Sequence, residues 1–156
     1  MANNTAQHKF IKVLNTAELI SIAGVILGIV LNKFYKGGDI VTAIALSSLS
    51  MVFFLNAYTV NQPLKEEQKN FTSLLTDKIL PKVLWINSAV AATGILFYLN
   101  AFEGGDSILN ISFINNSVLI AIFILLRFKN LTSEELMEPI KRAIPLFLIC
   151  GYLLFL

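Results

Sequence analysis

Polar and apolar residues fall into blocks along this chain. Uncharged, mostly apolar stretches run from Leu19 to Asn32, Ile40 to Gln62, Val83 to Phe102, Ser107 to Leu126 and Ala143 to Leu156. A bilayer core about 30 Å thick takes roughly 20 apolar residues per helix. Three of the stretches meet that length, and the other two approach it once their flanks are counted. Transmembrane strands alternate in character between turns. Here Met51-Val52-Phe53-Phe54-Leu55 and Val118 to Leu126 are continuously apolar, which predicts helices. The chain therefore reads as one domain over residues 1–156, an all-α polytopic transmembrane helical bundle.

Local signals set the predicted boundaries. A polar, disordered start over residues 1–8 gives way to a helix over about 16–34, with Glu18 in its first turn. Gly37-Gly38-Asp39 supplies a tight turn in which glycine permits positive φ and Asp39 caps the second helix. That helix runs over about 40–60 and breaks at Asn61-Gln62-Pro63. Residues 64–80 mix Leu64, Phe71, Leu74, Leu75 and Ile79 with lysines and acids, the pattern of an amphipathic helix on the membrane surface. A third helix covers about 82–102, with Trp85 at the interface. Glu103-Gly104-Gly105-Asp106 turns into a fourth over about 107–128. Thr132-Ser133-Glu134-Glu135 resembles a capping box. The fifth helix, 139–156, has Pro139 in its first turn and Pro145 as a bend. It measures only about 27 Å at 1.5 Å per residue. Five helices are expected, or four if the last segment is re-entrant.

Composition agrees with the pattern: 56% hydrophobic and 14% charged residues, where soluble domains carry about 25% charged. The net charge of +2 matters less than its distribution. With five helices, one side receives Lys9, Lys12, Lys65, Lys69, Lys78, Lys82, Arg127, Lys129, Lys141 and Arg142, and the other only Lys33 and Lys36. Ten against two places the N-terminus in the cytoplasm of a bacterial-type inner membrane. These cations orient helices, so no nucleic-acid partner is expected.

The segment Leu31-Asn32-Lys33-Phe34-Tyr35-Lys36-Gly37-Gly38-Asp39 recurs, one residue shorter, as Leu99-Asn100-Ala101-Phe102-Glu103-Gly104-Gly105-Asp106. The first two and the next two helices read either as two parallel repeated hairpins followed by a C-terminal helix, or as two hairpins that share a good short turn of two glycines and an aspartate. A Leu/Phe-rich helix, an aromatic, a Gly-rich turn and a helix reaching Val52-Phe53-Phe54-Leu55 resemble the two-helix membrane hairpin of the GldL-type gliding-motility and type 9 secretion motor proteins and their small relatives. The resemblance covers residues 24–58, with a second copy at 90–126. In that family the second helix carries an acidic residue that the resemblance assigns to proton-driven torque. Here neither Val41 to Gln62 nor Ser107 to Leu126 holds an Asp or Glu, which argues against a motor.

Candidate chemistry is sparse. One histidine, His8, and one cysteine, Cys150, offer neither a metal site nor a nucleophile–base pair, and no cofactor is expected. Asp39, Glu103 and Asp106 could converge on one side as a cation site, though turn capping accounts for two of them. Glu18 is the one acid within reach of the membrane, read as interfacial and near Lys12. Amides and hydroxyls dominate the polar positions. On the fourth helix Ser112, Asn115 and Asn116 share one face, and Asn110 and Ser117 the opposite one. With Asn87 they form either a polar path or hydrogen bonds between helices. Small residues form stripes at Ser21-Gly24-Gly28, Ala43-Ser47-Ser50 and Asn87-Ala91-Gly94, suited to close packing against one another. The expectation is a non-enzymatic structural or interaction subunit of a membrane complex. Its partners would be membrane lipids and a second copy or another membrane protein. The alternative is a small transporter or channel for an ion or polar solute, with the fourth helix lining the path.

Overall fold

The computed structural model describes residues 2–34, 37–59 and 74–155, with side chains from residue 9 onward. Among the described residues five long helices follow one another: α1 (Ala2–Phe34), α2 (Gly38–Thr59), α3 (Leu80–Leu99), α4 (Gly105–Phe128) and α5 (Glu134–Phe155). Among the described residues four helical stretches are long and apolar enough to cross a membrane, namely Lys9–Phe34, Gly38–Thr59, Leu75–Leu99, which takes in a helical turn ahead of α3, and Gly105–Phe128. The chain is a transmembrane helical bundle.

The centre of the bundle is α3, whose backbone meets α2, α4 and α5. Its sequence explains this: Ser88, Ala89, Ala91, Ala92 and Gly94 let neighbouring backbones come close. The apolar window of α3 is 61% buried, against 22% for α1 and for α4. Those two helices are therefore peripheral. Among the described residues the α1 backbone approaches α2 alone.

Both hairpins use their paired glycines in the same way. The first glycine takes a left-handed conformation, φ 136° at Gly37 and 82° at Gly104. The second sits flush on the preceding helix. A β-carbon at Gly38 would lie 2.3 Å from the Asn32 nitrogen, and one at Gly105 would lie 2.9 Å from the Tyr98 nitrogen. Asn32 and Asn100, matching positions of the repeat, line one small cavity, so both turns lie at the same end of the bundle. Asp39 does not stand at the cap of α2, which begins at Gly38, but inside its first turn. It accepts a 2.6 Å hydrogen bond from Asn32 Nδ2 and ties the two helices together.

Several boundaries depart from the sequence expectation. The first helix begins at Ala2 rather than near 16, because Thr16 donates to the Lys12 carbonyl inside a continuous helix and Leu14 is buried. The fifth begins at Glu134, which puts Pro139 inside it. Ser133 forms no capping box; its hydroxyl donates to the Thr76 carbonyl at 3.1 Å. Of the expected amphipathic segment over 64–80, residues 64–73 lie outside the described residues. The remainder is a π-helical turn, Leu75–Ile79, leading directly into α3. Pro81 cannot donate to the Asp77 carbonyl, and the Leu80 N–H reaches back five residues to Leu75 instead.

The fifth helix lies inside the bundle, against α3 and α4. Its acids and bases fall within Glu134 to Arg142, which leaves Ala143 to Phe155 uncharged, about 20 Å of helix. Phe113 stacks on Phe147 at 4.8 Å and meets Phe155 edge-on at 5.9 Å. Phe155 thus lies level with Phe113, about 12 Å short of the α3–α4 turn.

Candidate functional site

The most polar buried point of the bundle joins its first and last helices. Glu18, 5% exposed, accepts a 2.9 Å hydrogen bond at Oε1 from Arg142 Nε. Arg142 also pairs through Nη1 with Glu138, one turn earlier on α5, and Lys141 pairs with the same acid at 3.3 Å. The guanidinium lies over the Trp85 ring, 5.8 Å from its centroid, and Trp85 in turn packs on Phe53 at 5.7 Å. Charge delocalisation and weak hydration suit a guanidinium to this semi-buried, stacked position. The second Glu18 oxygen, Oε2, is buried with no hydrogen-bond partner among the described residues.

Sequence reasoning misses this site. It expects Glu18 at the interface beside Lys12, and Arg142 among orienting charges. Instead Glu18 lies about 9 Å along the helix from Lys12, turned toward α5. Trp85 is only 7% exposed, buried rather than interfacial. One signal is available in the sequence. Leu136, Ile140, Ala143 and Leu146 repeat at helical spacing across Arg142, so the apolar face of α5 starts before the arginine and carries it into the bundle.

Two cavities flank the pair. On the lysine-rich side lies one of about 230 Å³ and mixed character, lined by Ile11, Asn15, Asn56, Thr59, Trp85, Glu135, Glu138 and Arg142. Burial, and next Asp77, pushes the Glu135 carboxyl above its usual range, with Lys78 opposing. On the other side is an apolar cleft of about 670 Å³, walled by α1 and α5 and floored by Leu46, Leu49, Phe53 and Ile95. None of the residues lining these cavities belongs to α4.

The residues singled out from sequence divide. Ser112 is buried, but its hydroxyl donates to the Ile108 carbonyl of its own helix, and half-buried Ser117 donates to Phe113 in the same manner. Asn110 and Asn115 are exposed, so Asn115 does not share the buried face of Ser112 and Asn116. Asn116 is fully buried with both polar side-chain atoms unpartnered, and Asn87 keeps an unpartnered Nδ2. A polar link between α2 and α3 lies elsewhere, where Ser50 bonds the Ala89 carbonyl and Thr93, both at 2.9 Å.

The glycines of the small-residue stripes serve hairpin packing. Gly24 faces Ala45 and Gly28 faces Thr42 across α1 and α2, while Gly94 faces Leu109 on α4. Ala91 is fully buried, Ala43 partly so, and Ser47 is exposed. Among the described residues no three of His, Cys, Asp and Glu come together to hold a metal ion. Asp39, Glu103 and Asp106 are not gathered into such a group.

Asn116 gives a direct test of packing against polarity. A buried amide without partners costs more than a leucine of similar size. Asn116→Leu is expected to leave the unfolding midpoint unchanged or raise stability by about 1–2 kcal/mol. A clear fall in the midpoint would show the amide to be engaged.

No protein-family model, curated protein or solved structure matches this chain.

Proposed function

We propose that the chain is a non-catalytic multi-pass protein of an inner (plasma) membrane, N-terminus cytoplasmic, that works by association with another membrane-embedded chain. The observation that supports this reading is Asn115. It stands ten residues into α4, about 15 Å from the turn and so at mid-span, and it is exposed on the bundle surface. Its side chain makes no hydrogen bond among the described residues. In hydrocarbon a bare amide seeks a partner, and an amide on a neighbouring helix supplies one. The low burial of α4 and α1 leaves surface for that neighbour. A second copy, offering the same amide across a twofold axis, is the simplest partner.

Counting photobleaching steps of singly labelled protein in liposomes tests the proposal. Wild type is expected to show two or more steps. Asn115→Leu is expected to weaken association by about threefold for each bond lost, at about 0.6 kcal/mol per bond. Single steps from wild type at all protein densities, or an unchanged distribution for Asn115→Leu, count against self-association through this face.

A further inference from the structure

We propose that the cleft between α1 and α5 binds a neutral amphiphile from the bilayer, a single-chain acylglycerol whose hydroxyls sit at Glu18 and whose chain fills the apolar length. This inference rests on the α1–α5 side of the bundle and does not depend on association through α4.

Access comes first. No α1 and α5 backbones come within 8 Å between Cα atoms among the described residues. The rim side chains Ile26 and Tyr152 are 60% and 67% exposed, so the cleft opens sideways, toward lipid. Its occupant therefore arrives from the membrane.

Size and shape come next. The volume of about 670 Å³ falls within the range of small-molecule sites, roughly 300–1,000 Å³. Along α1 the lining runs from Glu18 to Ile29, eleven residues or about 16 Å. That equals the acyl depth of one leaflet, half of about 30 Å. Between its ends the wall is Ile, Leu, Val and Phe, which excludes an ion or a polar solute.

The polar end selects the head. Glu18 Oε2 is buried, unpartnered and part of the cleft lining. It is an acceptor and requires a donor. Pro145 has no N–H to give to the Lys141 carbonyl four residues back, which leaves that carbonyl without its usual helical donor, and both residues line the cleft with Glu18. Two acceptors ask for two donors, the pair of hydroxyls on a monoacylglycerol. The head is uncharged, because Arg142 already balances Glu18 and a further charge buried beside the pair would lack a counter-charge. A quaternary ammonium head has no hydrogen to donate, so it cannot answer Oε2.

The full chain, reconstituted in phosphatidylcholine nanodiscs, is irradiated with 1-monooleoylglycerol carrying a diazirine in its chain, and labelled residues are mapped by mass spectrometry. Labelling is expected on the facing stretches of α1 and α5, between Ile22 and Ile29 and between Ile149 and Leu153. Unlabelled 1-monooleoylglycerol is expected to compete about tenfold better than its dimethyl ether, which keeps the chain but cannot donate. Leu49→Trp, which fills the floor, is expected to abolish the labelling, whereas Ile114→Trp on α4 preserves it. The proposal is overturned if labelling spreads evenly over all lipid-facing helices. Equal competition by the dimethyl ether, or stronger competition by phosphatidylethanolamine, overturns it as well. The comparison of competitors uses wild-type protein, so it holds even where Leu49→Trp fails to fold.

Discussion

Replacing Arg142 with leucine is expected to lower stability by about 3–5 kcal/mol, the largest effect of any single change in this bundle. The loss comes from what is left behind. Glu18 is 5% exposed, its Oε2 already lacks a partner, and Arg142 supplies the hydrogen bond to its Oε1. Without the guanidinium a carboxylate stays buried with no counter-charge. Glu18→Leu is expected to cost less. Arg142 then still has Glu138 and the face of Trp85, and its side chain can extend toward the lysine-rich surface. The double replacement Glu18→Leu with Arg142→Leu is expected to lie near wild type, since exchanging a buried ion pair for packed apolar groups is often neutral or stabilising. Equilibrium unfolding in micelles, run as a double-mutant cycle, measures all three. Additive losses would mean that the two side chains are not coupled.

The second large effect is expected at Gly38. A β-carbon there meets only backbone: the Asn32 nitrogen at 2.3 Å, the Gly28 oxygen at 2.5 Å and the Asn32 Cα at 2.6 Å. No rotamer relieves such a contact, so α1 must move away from α2. Because α2 is the only helix whose backbone α1 approaches among the described residues, α1 depends on that close packing, with the Asn32–Asp39 hydrogen bond near the turn and the Glu18–Arg142 pair at the far end. Gly38→Ala is expected to cost about 3 kcal/mol or more, at the upper end of overpacking penalties. Gly104→Ala is the control. Nothing lies within 4 Å of its added carbon, and only the left-handed φ of 82° opposes it, a cost of about 1–2 kcal/mol. Unfolding midpoints should rank the two in that order. A reversed ranking would show that turn conformation, not helix contact, sets the stability of these hairpins.

The architecture is readable from residues because its causes are local. Uncharged blocks of the right length fix the membrane helices, and paired glycines fix two turns that the structure builds alike. The GxxxG of Gly24 and Gly28 and the small face at Ala91 and Gly94 announce close packing. Which helix each stripe meets is a matter of tertiary arrangement. Periodicity gives a face but not its partner, so sequence does not announce that Gly24, Gly28 and Gly94 meet Ala45, Thr42 and Leu109.

The candidate site is much less legible. Glu18 and Arg142 are 124 residues apart, and each alone has an ordinary interfacial reading. Only their pairing across an otherwise open gap makes them a site. Asn115 and Asn116 show the same limit at neighbouring positions. They differ by one step around α4, and that step separates an exposed amide from one with no exposure at all. The hydroxyls of Ser112 and Ser117 suggest bonds between helices. In lipid they find the carbonyl four residues back first, because it is always within reach.

Association is the central claim, and native mass spectrometry of the protein ejected directly from membrane vesicles tests it most directly. The account predicts that the chain leaves the membrane in a defined complex, as two or more copies or bound to another membrane protein. A bare monomer, carrying lipid alone under conditions that keep known membrane complexes intact, would contradict it.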